Sequence, residues 1–266
     1  MVKREKSKES ERINSSLKYS LQILDYLEGK ESGVSLADIC RAVEINKSRA
    51  MRLCGTMEHM GYLVLRQEGG VYSLGPRLLS LGKAFERNNP MIRIVKPVLR
   101  NMVIDLEETV SFQVIRNDRR MCISAVESPH PVRYTMVEGS EGEFPSGASS
   151  KVLLAWGPEK LREEVFERAP YERHTPNTIT TLEELKESIA KTLDQGYILS
   201  FEERSLGSAA LAVPVFGSEG SLVGAICVSG VLERMSKEFL RMAVPYSIER
   251  AKELSRMFGC SNSFIE

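Results

Sequence analysis

The sequence predicts an α+β chain of two domains, and three observations carry that reading. Residues 16–75 hold three short amphipathic helical stretches followed by two β-rich runs around a glycine turn, while the segment after Pro90 alternates helical and β-rich stretches. The chain, 266 residues at 42% hydrophobic, is long enough to build more than one core. Acidic and basic residues balance at 36 each, but Met1–Asn89 carries 15 basic and 11 acidic residues, so that end is basic and the remainder acidic.

The opening "MVKREKSKESERINSS" alternates charge and has no apolar run, which excludes a signal peptide or membrane anchor and reads residues 1–15 as a solvated, disordered arm. No later stretch approaches the length of a membrane span. Five cysteines (Cys40, Cys54, Cys122, Cys227 and Cys260) are scattered in apolar contexts without a CxxC pair, as expected for buried thiols in a reducing compartment. A cytoplasmic protein is expected.

From Ser16, the residues Leu17, Leu21, Leu24 and Leu27 recur at helical spacing up to a stop at Gly29. Ser35 caps a second helix with Asp38 three residues on, and Leu36, Ile39, Cys40 and Val43 form its apolar face. Asn46 caps a third helix. Leu53, Cys54, Met57 and Met60 are expected to face inward along it, with Arg49, Arg52, Thr56 and His59 on the polar side and Gly61 as the stop. "YLVLRQ", "EGG" and "VYSLG" then read as a hairpin wing.

Three short helices followed by a wing over residues 16–75 make a winged helix-turn-helix, which brings its third helix to the major groove of double-stranded operator DNA. Arg49 and Arg52 lie one turn apart and suit bidentate contact to guanine or phosphate, with Lys47 and Ser48 at the amide-rich helix start and Thr56 one turn beyond Arg52. A solvated charged face would explain the arginines alone; the capped helix before them and the wing after them favour DNA. Residues 76–89, with Pro76 at the first helical position and Leu78, Leu81 and Phe85 in one stripe, read as a linker helix whose apolar seam pairs with a second copy in a homodimer or tetramer.

In residues 90–260 a helix runs through Leu106 with Pro97 near its first turn or at a kink, followed by three β-rich runs, "TVSFQVIR", "RRMCISAVES" and "VRYTMVEG". Helices are predicted around Lys151–Trp156, Pro158–Arg168 and Leu182–Gln195, then strands in "GYILSF", "ALAVPVF" and "LVGAICVSG", with a turn at Gly217–Gly220. A long helix from Ser236 to Phe258 and a tail at residues 261–266 close the chain. The small residues Gly147, Ala148, Ser149 and Ser150 sit at a helix start that suits a carboxylate, with an ordinary capped helix as the equal alternative. Arg133 beside Tyr134 can pair with an acid, or serve as a solvated strand arginine.

The reading helix "NKSRAMRLCGTMEHMGYL", the join "YSLGPRLLSLG", "SSKVLLAW", "LDQGYILSFEE" and "AALAVPVFGSEGSLVGAICVSG" together resemble the IclR-type bacterial transcription regulators over nearly all of the chain after Ser16. The resemblance implies a GAF-like effector-binding domain, an antiparallel sheet with helices on one side and a pocket for a small organic effector, an acid by similarity. It implies repression more than activation. Effector-contacting positions carried over by the resemblance are Tyr134, Gly142, Ala148, Ser149, Ser200, Ala210, Cys227 and Ser229. Two departures, Ser150 where the family has glycine before the lysine and Ser200 where some members have an acid, leave the effector's chemical class open.

No catalytic residue, metal ligand or cofactor is expected. The sequence lacks GxSxG, HExxH, a P-loop and SxxK, and His59, His130 and His174 stand in unlike contexts; Cys122 with His130 is the one conceivable nucleophile and base. Glu107 and Glu108 and the charges of "LREEVFER" read as solvated helix surface. The rival class is a small-molecule enzyme with an accessory DNA-binding head.

Overall fold

The computed structural model describes residues 13–66 and 68–261, and the chain divides into two compact units between Asn88 and Asn89. The predicted arm up to residue 12 and the tail beyond Ser261 lie outside the described residues.

The first unit runs α1 (Ser15–Leu27), β1 (Val34–Ser35), α2 (Leu36–Val43), α3 (Lys47–His59), β2 (Leu63–Arg66), β3 (Val71–Leu74) and α4 (Pro76–Asn88). Each of the first three helices starts on a side-chain cap that takes up otherwise orphaned amides. Asn14 accepts from Ser16 and Leu17, Ser35 from Asp38, and Asn46 from Arg49. Between α2 and α3, Glu44 adopts the left-handed conformation while Ile45 plugs the core, so the chain turns in three residues. The wing pairs β2 with β3 antiparallel, Leu63 opposite Leu74, and β1 adds a third strand through Val34 and Tyr72. A two-residue strand has no period to read, which is why β1 was not foreseen.

Ile23, Leu27, Ile39, Val43, Ala50, Cys54, Met57 and Leu63 form this unit's core. Two expectations fail here. Leu17 and Leu21 are exposed, because α1 turns Ile23 and Leu27 inward with Tyr19, Leu24 and Tyr26, so that only the second half of the leucine series packs. Met60 is 60% exposed, since it follows the last helical residue and leaves the inward phase of α3. Gly75 passes so close to the end of α3 that an added Cβ would overlap the Gly61 carbonyl, and its N–H donates to Tyr62 O at 2.7 Å. On α4 no residue is buried, and Leu79, Leu81 and Phe85 stand exposed.

The second unit runs α5 (Pro90–Leu106), β4 (Thr109–Arg116), β5 (Arg119–Val126), β6 (Glu141–Gly142), α6 (Ala148–Trp156), α7 (Glu159–Glu167), α8 (Leu182–Gln195), β7 (Ile198–Phe201), β8 (Ser208–Phe216), β9 (Leu222–Val231) and α9 (Lys237–Met257). Its six strands are ordered β6-β5-β4-β9-β8-β7, every pair antiparallel. Side chains alternate across the sheet. Val110, Phe112, Val114, Leu211, Val213, Val215, Ile226 and Val228 meet α5 and α9 on one face. Ala212, Ala225, Cys227 and Ile198 meet α6, α7 and α8 on the other. The expectation of helices on one side is therefore corrected to helices on both, which explains why β4 and β9 are apolar or small almost without break.

Two further corrections follow from this burial. "VRYTMVEG" is irregular rather than a strand, and the sheet's edge is instead closed by the two-residue β6 pairing with Arg120 and Met121. Pro129 and Pro131 stand just before the run, and it is held to β5 by a side chain instead of a ladder, Glu138 accepting from Ser124 Oγ at 3.1 Å and from Ala125 N–H at 3.0 Å. Glu108 is not solvated: it is 2% exposed and receives both the Nε–H and an Nη–H of Arg234, the latter at 2.9 Å, with Gly230 leaving room for its carboxylate. A lone carboxylate there would be costly to bury.

Replacing Arg234 with methionine is expected to destabilise the second unit by about 2 kcal/mol or more, less than for a fully buried pair because Arg234 is partly solvated. Adding Glu108→Gln to that variant should recover most of the loss in urea unfolding, whereas a lone Glu108→Gln should not improve on the parent.

Candidate functional site

Two regions gather the predicted residues. On α3, positions three and four residues apart share a face, and Lys47, Ser48, Met51, Arg52, Gly55 and Thr56 are all exposed along it. The first turn carries no acidic residue, and its free amides add to the positive end of the helix. Gly55 has open space where a side chain would stand, so a backbone ligand such as a phosphate can approach closely. Thr56 donates its hydroxyl to Arg52 O at 2.8 Å and keeps its oxygen free to accept. Met51, 54% exposed between Ser48 and Arg52, was passed over in the sequence because methionine on an amphipathic helix reads as core.

Arg49 stands apart from this face. It is half-buried on the flank of α3, with its guanidinium 4.5 Å from the Tyr19 ring centre and one N–H donated to Ser15 Oγ at 2.8 Å. The structure therefore brings Lys47, Ser48, Arg52 and Thr56 together and gives Arg49 a bracing contact to α1.

The second region is a small cavity of about 40 Å³, open to solvent, between the α6 face of the sheet and the loops. Tyr134, Ala148, Ser149, Ser200, Ala210, Cys227 and Ser229 line it. Register explains how residues far apart in sequence meet: Ser200, Ala210 and Ser229 are cross-strand partners in adjacent strands, and Ala212 with Cys227 continues the row. Gly142 does not line this cavity. It pairs with Arg120 across the β5–β6 edge, and a Cβ there would collide with the Arg120 guanidinium.

Arg120 and Gln113 also line the cavity and were missed in the sequence. The β4–β5 register slips by one residue between Phe112 and Gln113, and this bulge puts Cys122 opposite Gln113 and Arg120 opposite Ile115, on the α6 face. Nothing in the run "RRMCIS" says which arginine turns inward, and the slip that decides it depends on the partner strand. Arg120, 7% exposed, donates to Gln113 Oε1, which also accepts from Ser149 Oγ at 2.8 Å. Burial above all, then the neighbouring charge of Arg204, pulls the Arg120 guanidinium below its ordinary value. Arg133, the arginine singled out from sequence, is instead exposed and paired with Glu127 at 2.8 Å.

The start of α6 is already occupied. Gly147 N–H donates to Glu203 Oε2 at 3.3 Å, while Glu203 Oε1 pairs with Lys151, itself 2% exposed. Burial pulls the Lys151 ammonium down against the opposing pull of Glu203. The chain's own carboxylate thus takes the place that the sequence suggested for a ligand's. The loop carrying it is held from outside: Thr175 and Thr178 donate to the carbonyls of Glu202 and Glu203, and Glu202 accepts from Gly207 N–H at 2.8 Å.

Burial raises the Cys122 thiol to about 12, with Glu138 adding to the effect, and burial likewise raises Cys227, so neither is a thiolate near neutral pH. His130 lies 3.7 Å from Glu107. Among the described residues no three His, Cys, Asp or Glu side chains gather as for a metal ion, and no helix is long and apolar enough to cross a membrane.

Residues 84–256 match the family described as bacterial transcriptional regulator IclR C-terminal, and residues 16–67 match the IclR helix-turn-helix domain. The chain is 29% identical over 259 residues to the HTH-type transcriptional regulator KdgR of Escherichia coli (strain K12), spanning 97% of this chain and 98% of that one. It is 26% identical over 246 residues to the transcriptional repressor IclR of the same strain, spanning 92% and 90%. A solved IclR homolog from Microbacterium hydrocarbonoxydans, complexed with 4-hydroxybenzoate, has the same fold with a TM-score of 0.76 at 21% identity, over 91% of this chain and 100% of that one.

The brace between Arg49 and α1 predicts a stability effect without DNA. Arg49→Ala is expected to lower the stability of the first unit by about 0.5 to 1 kcal/mol, the range for a cation over an exposed ring. In thermal unfolding, Tyr19→Ala should make a further Arg49→Ala change nearly silent.

Proposed function

The chain belongs to the IclR-type bacterial transcription regulators, and on that premise we propose that α3 reads operator DNA through Lys47, Ser48, Arg52 and Thr56 while the cavity of the second unit binds the effector. The exposed face of α3 carries this reading: two cations, two hydroxyls and a glycine lie in one row, with no carboxylate in the first turn to repel phosphate. Arg52 is the base-reading residue, its fork suited to guanine O6 and N7. Lys47 and Ser48 hold phosphate at the helix start. Met51 supplies the apolar contact that a thymine methyl rewards. Arg49 fixes the angle of the helix and lends charge from the flank.

The protein acts as a homodimer or tetramer in the cytoplasm, joined near the reading heads by the exposed Leu79, Leu81 and Phe85 of α4, and its operator is accordingly two-fold related. Repression is the output, in line with the relative named a transcriptional repressor. The effector works by binding one arrangement of the reading heads better than another, a coupling of ~1 to 3 kcal/mol. An organic acid is its class, in keeping with the 4-hydroxybenzoate held by the Microbacterium protein. Catalysis has no comparable support, because the cavity offers no nucleophile with a base beside it.

Titrating the protein's own promoter region by fluorescence anisotropy, with and without a library of small acids, tests this reading. Arg52→Ala is expected to weaken specific binding by ~1 to 3 kcal/mol and relax preference at one base pair, and Lys47→Ala to weaken all sequences alike and reduce the salt slope by about one. Unchanged affinity in the Lys47→Ala, Arg52→Ala double variant at moderate salt would remove α3 from the interface.

A further inference from the structure

The cavity's charges do not all cancel. Lys151 is matched by Glu203, and Glu202 is taken up by Gly207 and by Asn177, whose Nδ2 donates at 3.2 Å. Arg204 lies exposed in the lining, solvated. Arg120 is different. Among the described residues no carboxylate stands within ion-pair reach of it, the groups that bear on its charge being Arg204, Cys227, Tyr134 and Cys122, and its buried Nε–H has no acceptor. Guanidinium groups stay charged at neutral pH, so a buried one without an anion is an unmet demand. Next to it stand hydrogen-bonding groups, Gln113 and through it Ser149, and the rest of the lining mixes Ser200, Ser229 and Tyr134 with the apolar Met136, Ala148, Ala209 and Ala210.

We propose that Arg120 is the anion anchor of this cavity and that the ligand it takes is a small hydroxylated monocarboxylate. The carboxylate meets the guanidinium, and the hydroxyls exchange hydrogen bonds with Gln113 and the serine row. One negative charge is called for because one buried cation lacks its partner. An aromatic acid is disfavoured because its ring would strip water from those hydroxyls without replacing the bonds. Gly142 serves as a positioning residue: the absence of a Cβ there gives the guanidinium its place, which accounts for a site position that does not itself line the cavity. The inference rests on the reading of this cavity as the effector site.

Isothermal titration calorimetry of the full-length protein tests it, with D-glycerate, L-lactate and D-gluconate against glycerol, D-sorbitol and 4-hydroxybenzoate. At least one hydroxy acid is expected to bind about tenfold or more tighter than its neutral counterpart and than the aromatic acid, as a charge-assisted bond implies. Arg120→Gln should weaken that acid by about 30-fold. Gly142→Ala meets only the flexible end of Arg120 and should fold normally, weaken the acid several-fold, and add nothing in the Arg120→Gln background. Should Arg120→Gln fail to fold, Gly142→Ala carries the test alone. Parental acid affinity in Arg120→Gln or Gly142→Ala, or equal binding of a polyol, would overturn the anchor, and tighter binding of 4-hydroxybenzoate would overturn the hydroxylated class of ligand. If a neutral compound releases the operator and no acid binds, the anchor falls and the effector reading stands; if no compound changes operator binding, both fall.

Discussion

A sheet covered by helices on both faces leaves no water for the polar atoms inside it, and the second unit is organised by that constraint. Where β4, β8 and β9 meet α5 and α9 the answer is mainly apolar packing, with the buried Ser255 hydroxyl accepting from Phe216 N–H and donating to Ala251 O. On the α6 face the same strands carry alanine, serine, cysteine and glutamine, too small to fill the space beneath the helix. The resulting cavity is a packing deficit lined by small apolar side chains and a few polar ones, a mix that ligand pockets share.

The constraint also sorts the buried charges. Lys151, on a helix buried almost all round, is tolerable because Glu203 meets it, and Glu203 in turn satisfies the amide of Gly147. Glu108 is tolerable because Arg234 reaches it with two N–H groups. These pairs fix loops against helices and strands, which specifies geometry more than it adds stability. Arg120 is the exception: among the described residues it has no carboxylate partner, and its buried Nε–H lacks an acceptor, which is the observation behind the proposed anion site.

The first unit works by the opposite arrangement, with its functional groups in water. Its core is small, and the helices are held in register by three side-chain caps, the Ile45 plug and the close passage of Gly75 over the end of α3. Rigid support under an exposed face is what a reading helix needs, since every degree of play loosens several contacts at once. Arg49 illustrates the division of labour: on a helical wheel it belongs with Arg52, yet in space it leans on Tyr19 and Ser15.

Local pattern determined a great deal. The caps at Ser35 and Asn46, the wing, the strand Thr109–Arg116 and the helix Leu182–Gln195 were legible because hydrogen bonding and period within a dozen residues decide them. The family pattern named seven residues that line one cavity, because small residues at a helix start and in paired strands leave a mark in sequence. Tertiary structure alone decided the rest: that Ile23 rather than Leu17 turns inward, that helices cover both faces of the sheet, that Glu108 is buried, that Glu203 occupies the start of α6, and that Arg120 rather than Arg133 enters the cavity. Each depends on a partner dozens of residues away or on a one-residue slip between strands. A side chain's face is set by its neighbour's register, and register is a property of the pair, so a single strand's sequence does not contain it.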